Sequence, residues 1–573
     1  MVVARVAAEL EPDQNVVTLF ADDGSKYAST NLWSAPVEEL FAEIAGAFDL
    51  ADHRGAADVA VRAINPTLAS HGYTTVGTVV ETNTLDSPFL VDSVTAAIGT
   101  HGLDVRQVIH PVIGTVRAAD GTIARVLHAR EADVRESVMH FEADRRIADD
   151  ELGALAETIR RVLGDVRRAV RDFGPMRERI PHVVEIASHA GTRYSEEDVA
   201  EAQAFLGWLL DQHFVFLGYR EYRIVDVGGT PGLAVEPGTG LGILDDPARS
   251  TYSAPVPLDR VAPELRDRIL AGDLLTVAKT NRPSTVHRPV RMDYVGVKMV
   301  DADGRITGEA RFLGLFTAKA YSAAASKIPV LHAKLEHVLR SEDLFEGSHD
   351  YKMAVALFES FPKDELFAAA AEDLRKAVVT LLDLQEREHI RLLVRQDIEE
   401  QTVSFLVSLP RDRFNADLRK RLQALFGDRL GTTQVDAHLS LGQGDRVQIH
   451  YLAHCDGPIP SFSPADLERD TRATNGRLGA NLGDDSRGPV DRVMDVQDPA
   501  GARGGSVGDW CNCRNDRRHL RPALCAFVDR ALAAAQPAGA AARRPGRRGG
   551  PRRAAAAALD WLQRGLCAAD AGV

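Results

Sequence analysis

The chain has 573 residues, is 45% hydrophobic and 26% charged, and carries a formal net charge of −14. This is ordinary soluble globular material, enough for roughly three or four domains of about 150 residues, and its acidic balance argues against a phosphate-binding surface spread over the whole molecule, so no nucleic-acid partner is expected. The first residues lack the long apolar core of a secretion signal and no run approaches the roughly 18 apolar residues of a membrane span, so a cytoplasmic chain with no membrane partner is expected.

All five cysteines lie at or beyond Cys455, which excludes a disulfide scaffold for the preceding bulk and suits a reducing compartment. Residues 1–70 read as an N-terminal helical cap, with amphipathic helices over Val37 to Phe48 and Ala56 to Leu68. The segment 71–182 reads as a first small α/β unit. It begins with a β-branched strand, Thr74 to Thr82. Asp86-Ser87-Pro88 then supplies a cap and a first-turn proline for a helix over Ser87 to His101, and His101-Gly102 ends it. A strand over Val105 to Arg117, a turn at Asp120-Gly121, strands over Ile123 to His128 and Glu136 to Glu142, and a helix over Asp149 to Asp172 complete the unit. Val138, His140 and Glu142 alternate with Met139 and Phe141, the pattern of a half-buried strand.

The segment 183–325 is a second unit. Ser195-Glu196-Glu197-Asp198 has the capping-box form and opens a helix to Asp211. HFVFLGYREYRIV follows as a strand. Gly228 to Gly242 reads as a surface loop, and further strands cover Leu274 to Thr280, Asp293 to Val300 and Glu309 to Phe316, with a hairpin at Asp303-Gly304. The segment 326–365 is a helical connector, with helices over Ile328 to Leu339 and Tyr351 to Phe358. The third unit, 366–470, has a long helix over Phe367 to Leu384, strands over Ile390 to Arg395 and Thr402 to Leu409, a helix over Phe414 to Phe426, and strands over Thr433 to Leu441 and Arg446 to Leu452. The expected fold class is therefore α+β: serial small α/β sandwich units with helical connectors.

From 471 to 573 the periodicity fades and Arg, Ala, Gly and Pro dominate. This tail is expected to be disordered or the product of a shifted reading frame, the second reading being preferred. Gly504-Gly505-Ser506-Val507-Gly508 matches a nucleophile elbow in letters but lacks the flanking strand and helix, and Cys511-Asn512-Cys513 lacks zinc-site spacing. Gly238 to Gly242 follows a Pro/Gly loop, so a dinucleotide cradle is not expected there. No catalytic, cofactor-binding or metal-binding residue is assigned.

His110, His140 and His213 each admit an acid-base reading and a buried structural one, and the structural one is preferred. The turn before the helix at Ser87 is different. Free N–H groups at a helix start, beside Asp86, Ser87, Asp92 and Ser93, suit the carboxylate and ammonium of a small zwitterion, although plain helix capping is the preferred reading of the same residues. These four are the candidate effector-binding residues.

The segments DSPFLVDSVTAAIGTHGLDVRQVIHPVI, ESVMHFEADR, EAQAFLGWLLDQHFVFLGYREYRI, KTNRPSTVHRPVRMDYVGVK and GEARFLGLFTAKAYSAAASKIPVLHAKLEHVL resemble the N-terminal region of the large NAD-specific glutamate dehydrogenases. The resemblance covers most of residues 20 to about 470. It implies serial ACT-like domains, a PAS-like element in the middle unit, and a regulatory and oligomerisation role ahead of a catalytic domain. In that family the reaction is oxidative deamination of L-glutamate to 2-oxoglutarate and ammonia with NAD, in a cytoplasmic homo-oligomer. NAD is thus implied for the full-length family and none is expected to bind this chain, which is expected to stop short of the catalytic domain. The alternative is a standalone amino-acid-binding sensor module.

Overall fold

The structure is a computed structural model that describes residues 36–54, 59–261, 263–384, 390–397, 401–440, 446–455 and 457–481. The expectations placed on the glycine-serine motif near Ser506, on Cys511 and Cys513, and on the tail past Asn481 lie outside the described residues. The chain is α+β, and among the described residues the strands gather into three antiparallel sheets.

The first sheet has strands β1 (Val59–Ile64), β2 (Val79–Leu85), β3 (Val105–Ile109), β4 (Val112–Arg117), β5 (Ile123–Leu127) and β6 (Arg135–Ala143). Its order is β1-β2-β6-β4-β5, with β3 also against β6. The helix expected over Ala56 to Leu68 is corrected by β1, which pairs with β2 through Val61 and Thr82. Its mixed apolar text satisfied a helical period, yet a vacant sheet edge took the β-branched residues. The single strand expected over Val105 to Arg117 is two. Both run along β6, and the break falls at His110-Pro111, where proline has no N–H to donate and its carbonyl accepts from Val138 N at 3.0 Å.

Strand β6 is buried on both faces, which corrects the half-buried reading. Met139 and Phe141 face helices α1 (Leu90–Thr100) and α2 (Leu152–Arg171), in a core with Val94, Ile98, Ile159 and Leu163. Val138 lies instead with Ala47, Phe48 and Ala51 of the helix Val37–His53. A side chain buried this way contributes about 1.5–3 kcal/mol, so the sheet is held from two sides.

The second sheet has strands β7 (Phe214–Val227), β8 (Thr230–Val235), β9 (Leu241–Gly242), β10 (Val256–Pro257), β11 (Leu275–Pro283), β12 (Arg291–Val300) and β13 (Ile306–Phe316), ordered β10-β8-β7-β13-β12-β11 with β9 beside β7. The loop expected over Gly228 to Gly242 is corrected: Gly228 and Gly229, both at positive φ, form only the hairpin turn into β8. Gly242 is a backbone requirement, since its φ is +63° and a Cβ would come within 2.2 Å of the Leu217 carbonyl. Period-2 alternation splits β7 between two cores. Phe214 and Phe216 pack with α3 (Phe173–Ser188) and α4 (Glu196–Trp208), while Leu217 and Leu315 join the core of the first sheet. The capping box is present as read, with Ser195 and Asp198 bonding reciprocally. Helix α3 was missed because Pro175 and Pro181 masked a clear stripe at Met176, Ile180, Val183 and Ala187.

Helices α5 (Leu331–Ser341) and α6 (His349–Ser360) lead to the third unit. The long helix expected over Phe367 to Leu384 is instead α7 (Lys363–Ala368) and α8 (Ala371–Leu382). The cause is Lys334: its Nζ donates to the carbonyls of Leu366, Phe367 and Ala369 at 2.8–2.9 Å, so these oxygens are satisfied without a continuing helix. The third sheet has β14 (Arg391–Asp397), β15 (Thr402–Pro410), β16 (Val435–Ser440) and β17 (Arg446–His454) in the order β14-β15-β17-β16. Helices Ala416–Leu430 and Pro464–Asn481 pack against it. The last of these crosses residue 471, so the chain is helical to Asn481 where a disordered tail was expected.

Candidate effector site

The four candidate residues divide between two environments. Asp86 is exposed at the end of β2, where its backbone N–H still donates to Arg135 O at 2.9 Å, and the Ser87 hydroxyl is 3.5 Å from the Pro88 carbonyl. Neither caps the helix. Helix α1 begins at Leu90 after Phe89, which has φ of +73° and makes no side-chain cap, so the expected Asp-Ser-Pro start is corrected by three residues.

Asp92 and Ser93 face the loop between β11 and β12. The Ser93 hydroxyl is buried; it donates to Phe89 O at 2.5 Å and accepts from His287 N at 2.9 Å. His287 Nδ1 lies 3.2 Å from Asp92 Oδ2, and the rings of His287 and Phe89 are 5.0 Å apart. Burial raises the Asp92 carboxyl less than the His287 hydrogen bond lowers it, and the net shift is downward. Phe89 and His287 both hold positive φ, at +73° and +67°. Two non-glycine residues in this sparsely allowed region, in contact across two sheets, are stored strain at a joint. His287 was missed in the sequence because 194 residues separate it from Ser93.

Two ionic networks stiffen the first sheet around the turn. Glu136, fully buried, accepts from Arg117, Arg54 and Thr115 at 2.7–2.8 Å. Burial alone would raise its carboxyl, but the Arg117 and Thr115 hydrogen bonds and the Arg54 charge hold it down at about 2. His140, buried on the helix Val37–His53 side, has Nδ1 3.3 Å from Glu81 and Nε2 3.2 Å from Glu43. Burial opposes its protonation, yet the hydrogen bond it donates to Glu81 and the charges of Glu43, Glu81 and Glu142 raise its pKa. His110 Nε2 bonds Ser137 Oγ at 2.6 Å, and His213 Nδ1 bonds the Trp208 carbonyl at 2.8 Å while stacking on that indole. These three histidines are held by protein partners.

A third network joins the second and third sheets through helix α7. Asp364 lies 3.4 Å from Lys279 Nζ, which is itself 2.6 Å from Asp293. The next residue, Glu365, takes a two-pronged bond from Arg395 at 2.8 and 2.9 Å and lies 3.4 Å from His450, which bonds Ser404. Burial raises Glu365, but Arg395 and His450 outweigh it and hold the carboxyl well below the usual range. Among the described residues no group of three or more His, Cys, Asp or Glu gathers as a metal-ligand set, and no helix is long and apolar enough to cross a membrane.

Comparison with known proteins matches residues 25–159 to "Glutamate dehydrogenase, ACT1 domain", 328–387 to "Glutamate dehydrogenase, helical motif 1", and 391–475 to "Glutamate dehydrogenase, ACT2 domain". A protein of Halomonas elongata named NAD-specific glutamate dehydrogenase is 33% identical over 408 residues, covering 70% of this chain and 25% of that protein. The protein of the same name from Pseudomonas aeruginosa is 29% identical over 460 residues, 79% of this chain and 28% of its own length. That of Mycobacterium tuberculosis is 25% identical over 428 residues, 73% of this chain and 25% of its own. The chain spans about a quarter of the length of these curated relatives.

Proposed function

The chain belongs to the NAD-specific glutamate dehydrogenase family, and on that premise we propose that it is the regulatory and oligomerisation region of such an enzyme, sensing an amino-acid effector at the turn Asp86 to Ser93. The observation that carries this reading is the direct bonding of Asp92 and Ser93 to His287 of the second sheet. A zwitterion whose ammonium meets Asp86 and whose carboxylate meets the first-turn amides of α1 would act on Phe89, and Phe89 touches the joint. Binding is then coupled to the relative placement of two sheets, which is what a regulatory domain requires.

On this reading the units are 71–182, 183–325 with its PAS-like element, the connector 326–365 and 366–470, and they act in a cytoplasmic homo-oligomer. Catalysis with L-glutamate and NAD is assigned to the whole enzyme and not to residues of this region. Thermal-shift titration of the chain with each common L-amino acid tests the proposal. A ligand at about 100 times its Kd stabilises by about 2.7 kcal/mol, so one amino acid is expected to raise Tm, and the double variant Asp86→Ala, Ser87→Ala to abolish that rise. A response untouched by the double variant, or none from any amino acid, overturns it.

A further inference from the structure

Of the large apolar side chains among the described residues, Phe345 is the most open to solvent, at 75% exposed, in the turn between helices α5 and α6. That turn is fixed at both ends. Leu344 packs on the core below and its N–H donates to the Leu339 carbonyl at 3.1 Å; Ser348 N–H donates to the Phe345 carbonyl at 3.0 Å, and the Ser348 hydroxyl caps α6 by accepting from Tyr351 N. Phe345 is therefore held out into water on an ordered backbone, which reduces the conformational entropy lost when it is covered. Asp343 and Glu346 flank it, both exposed and without a side-chain hydrogen bond or ion pair among the described residues. A single exposed aromatic residue is ordinary, but a fixed one between two unpaired acids has the make-up of an interface anchor.

The opposite make-up is found where β11 runs into β12. The stretch KTNRPSTVHRPVR carries Lys279, Arg282, Arg288 and Arg291 and no acid. Lys279 is taken by Asp293 and Asp364, and His287 by Asp92. Arg282 is exposed and has no carboxylate partner among the described residues. Arg288 gives Nη2 to the Phe316 carbonyl at 2.8 Å, its Nε is buried without a partner, and no described carboxylate pairs with it. A guanidinium placed in this way is an uncompensated charge. Beside these arginines Val290 is 44% and Tyr321 37% exposed. Tyr321 is tied to the same place by Lys279 Nζ, 3.1 Å from its hydroxyl, and by the Phe316 ring, 6.4 Å away.

We propose that the Phe345 turn of one copy of this chain docks on this patch of a second copy, with the Phe345 ring over Val290 and Tyr321 and with Asp343 and Glu346 facing Arg282 and Arg288. Apolar surface meets apolar surface, and unpaired acids meet unpaired arginines. In a chain of net charge −14, two copies repel unless the contact sets opposite charges against each other. The contact rests on the homo-oligomer proposed above and gives it a surface. The patch belongs to the loop that carries His287, so a neighbouring copy bears on the joint between the first and second sheets.

Sedimentation of the full chain over a range of concentrations tests the proposal. The wild type is expected to self-associate reversibly, and less tightly as salt rises. Phe345→Ser and Arg282→Glu, both at exposed positions, are each expected to weaken association at least about tenfold, or about 1.4 kcal/mol, at unchanged Tm. A mixture of the two variants is expected to recover one-to-one complexes, because the intact turn of the Arg282→Glu chain still fits the intact patch of the Phe345→Ser chain. Self-association indifferent to both substitutions overturns this contact and leaves the homo-oligomer standing. A mixture no more associated than its separate components overturns the contact as well. A wild type that stays monomeric up to about 100 μM overturns both and assigns the patch to another partner.

Discussion

His140 shows what a single residue contributes when its partners come from other elements. Glu81 is 59 positions away on β2, and Glu43 lies on the helix Val37–His53 across the sheet. The pair of carboxylates raises the imidazole's native pKa above its ordinary 6.5. A raised native pKa means that the folded state binds the proton more tightly than the unfolded one. The stabilisation is therefore complete below about pH 6.5 and is lost as pH rises through the native pKa. Urea titrations of the wild type and of His140→Gln across that interval are expected to show stability falling with pH in the wild type and a flatter profile in the variant; parallel profiles would remove the assignment. The sequence preferred a structural role for His140 over an acid-base one but could not name its partners. Alternation along a strand reports which face a residue occupies, and says nothing of what the next element places there.

At the scale of elements, helix α1 and the loop between β11 and β12 are joined where Ser93, Asp92 and Phe89 all meet His287. Ser93 bridges the Phe89 carbonyl and the His287 N–H, and its removal leaves a part-buried donor unsatisfied. Ser93→Ala is expected to cost about 1–3 kcal/mol and to accelerate hydrogen exchange at residues 284–290 more than in β6; exchange that rises equally in both would show a global effect instead. The four candidate residues were chosen from local text, and the structure keeps them near one turn. It assigns Asp92 and Ser93 to a joint and leaves Asp86 and Ser87 at the open strand end. The same limit explains the errors in the elements. Lys334 ends α7 from a helix 32 residues earlier, a signal that no capping rule applied to Phe367 to Leu384 contains.

For the whole molecule, the connection of sheets depends on adjacent acids. Asp364 reaches the lysine of the second sheet and Glu365 the arginine of the third. Glu365→Gln is expected to destabilise the chain by about 3 kcal/mol, since Arg395 would lose its two-pronged carboxylate partner in a largely buried position and keep the longer 3.5 Å contact to Asp397. Chemical denaturation should show the loss, with faster proteolysis within α7 and α8; an unchanged midpoint would mean that the apolar contacts of α8 carry the seam alone. The sequence by itself determined the α+β class, the strands and helices with clean periods, the capping box at Ser195 and the family, because these depend on residues within a few positions of one another or on long matched segments. Only the tertiary structure decided that Val59 to Ile64 is a strand, that His110-Pro111 divides a strand, that Pro181 sits within a helix, and that His287, Lys334 and Arg395 hold the joints. Each of those outcomes depends on a partner tens to hundreds of residues away, so the free energy that selects it does not exist until the sheets have assembled.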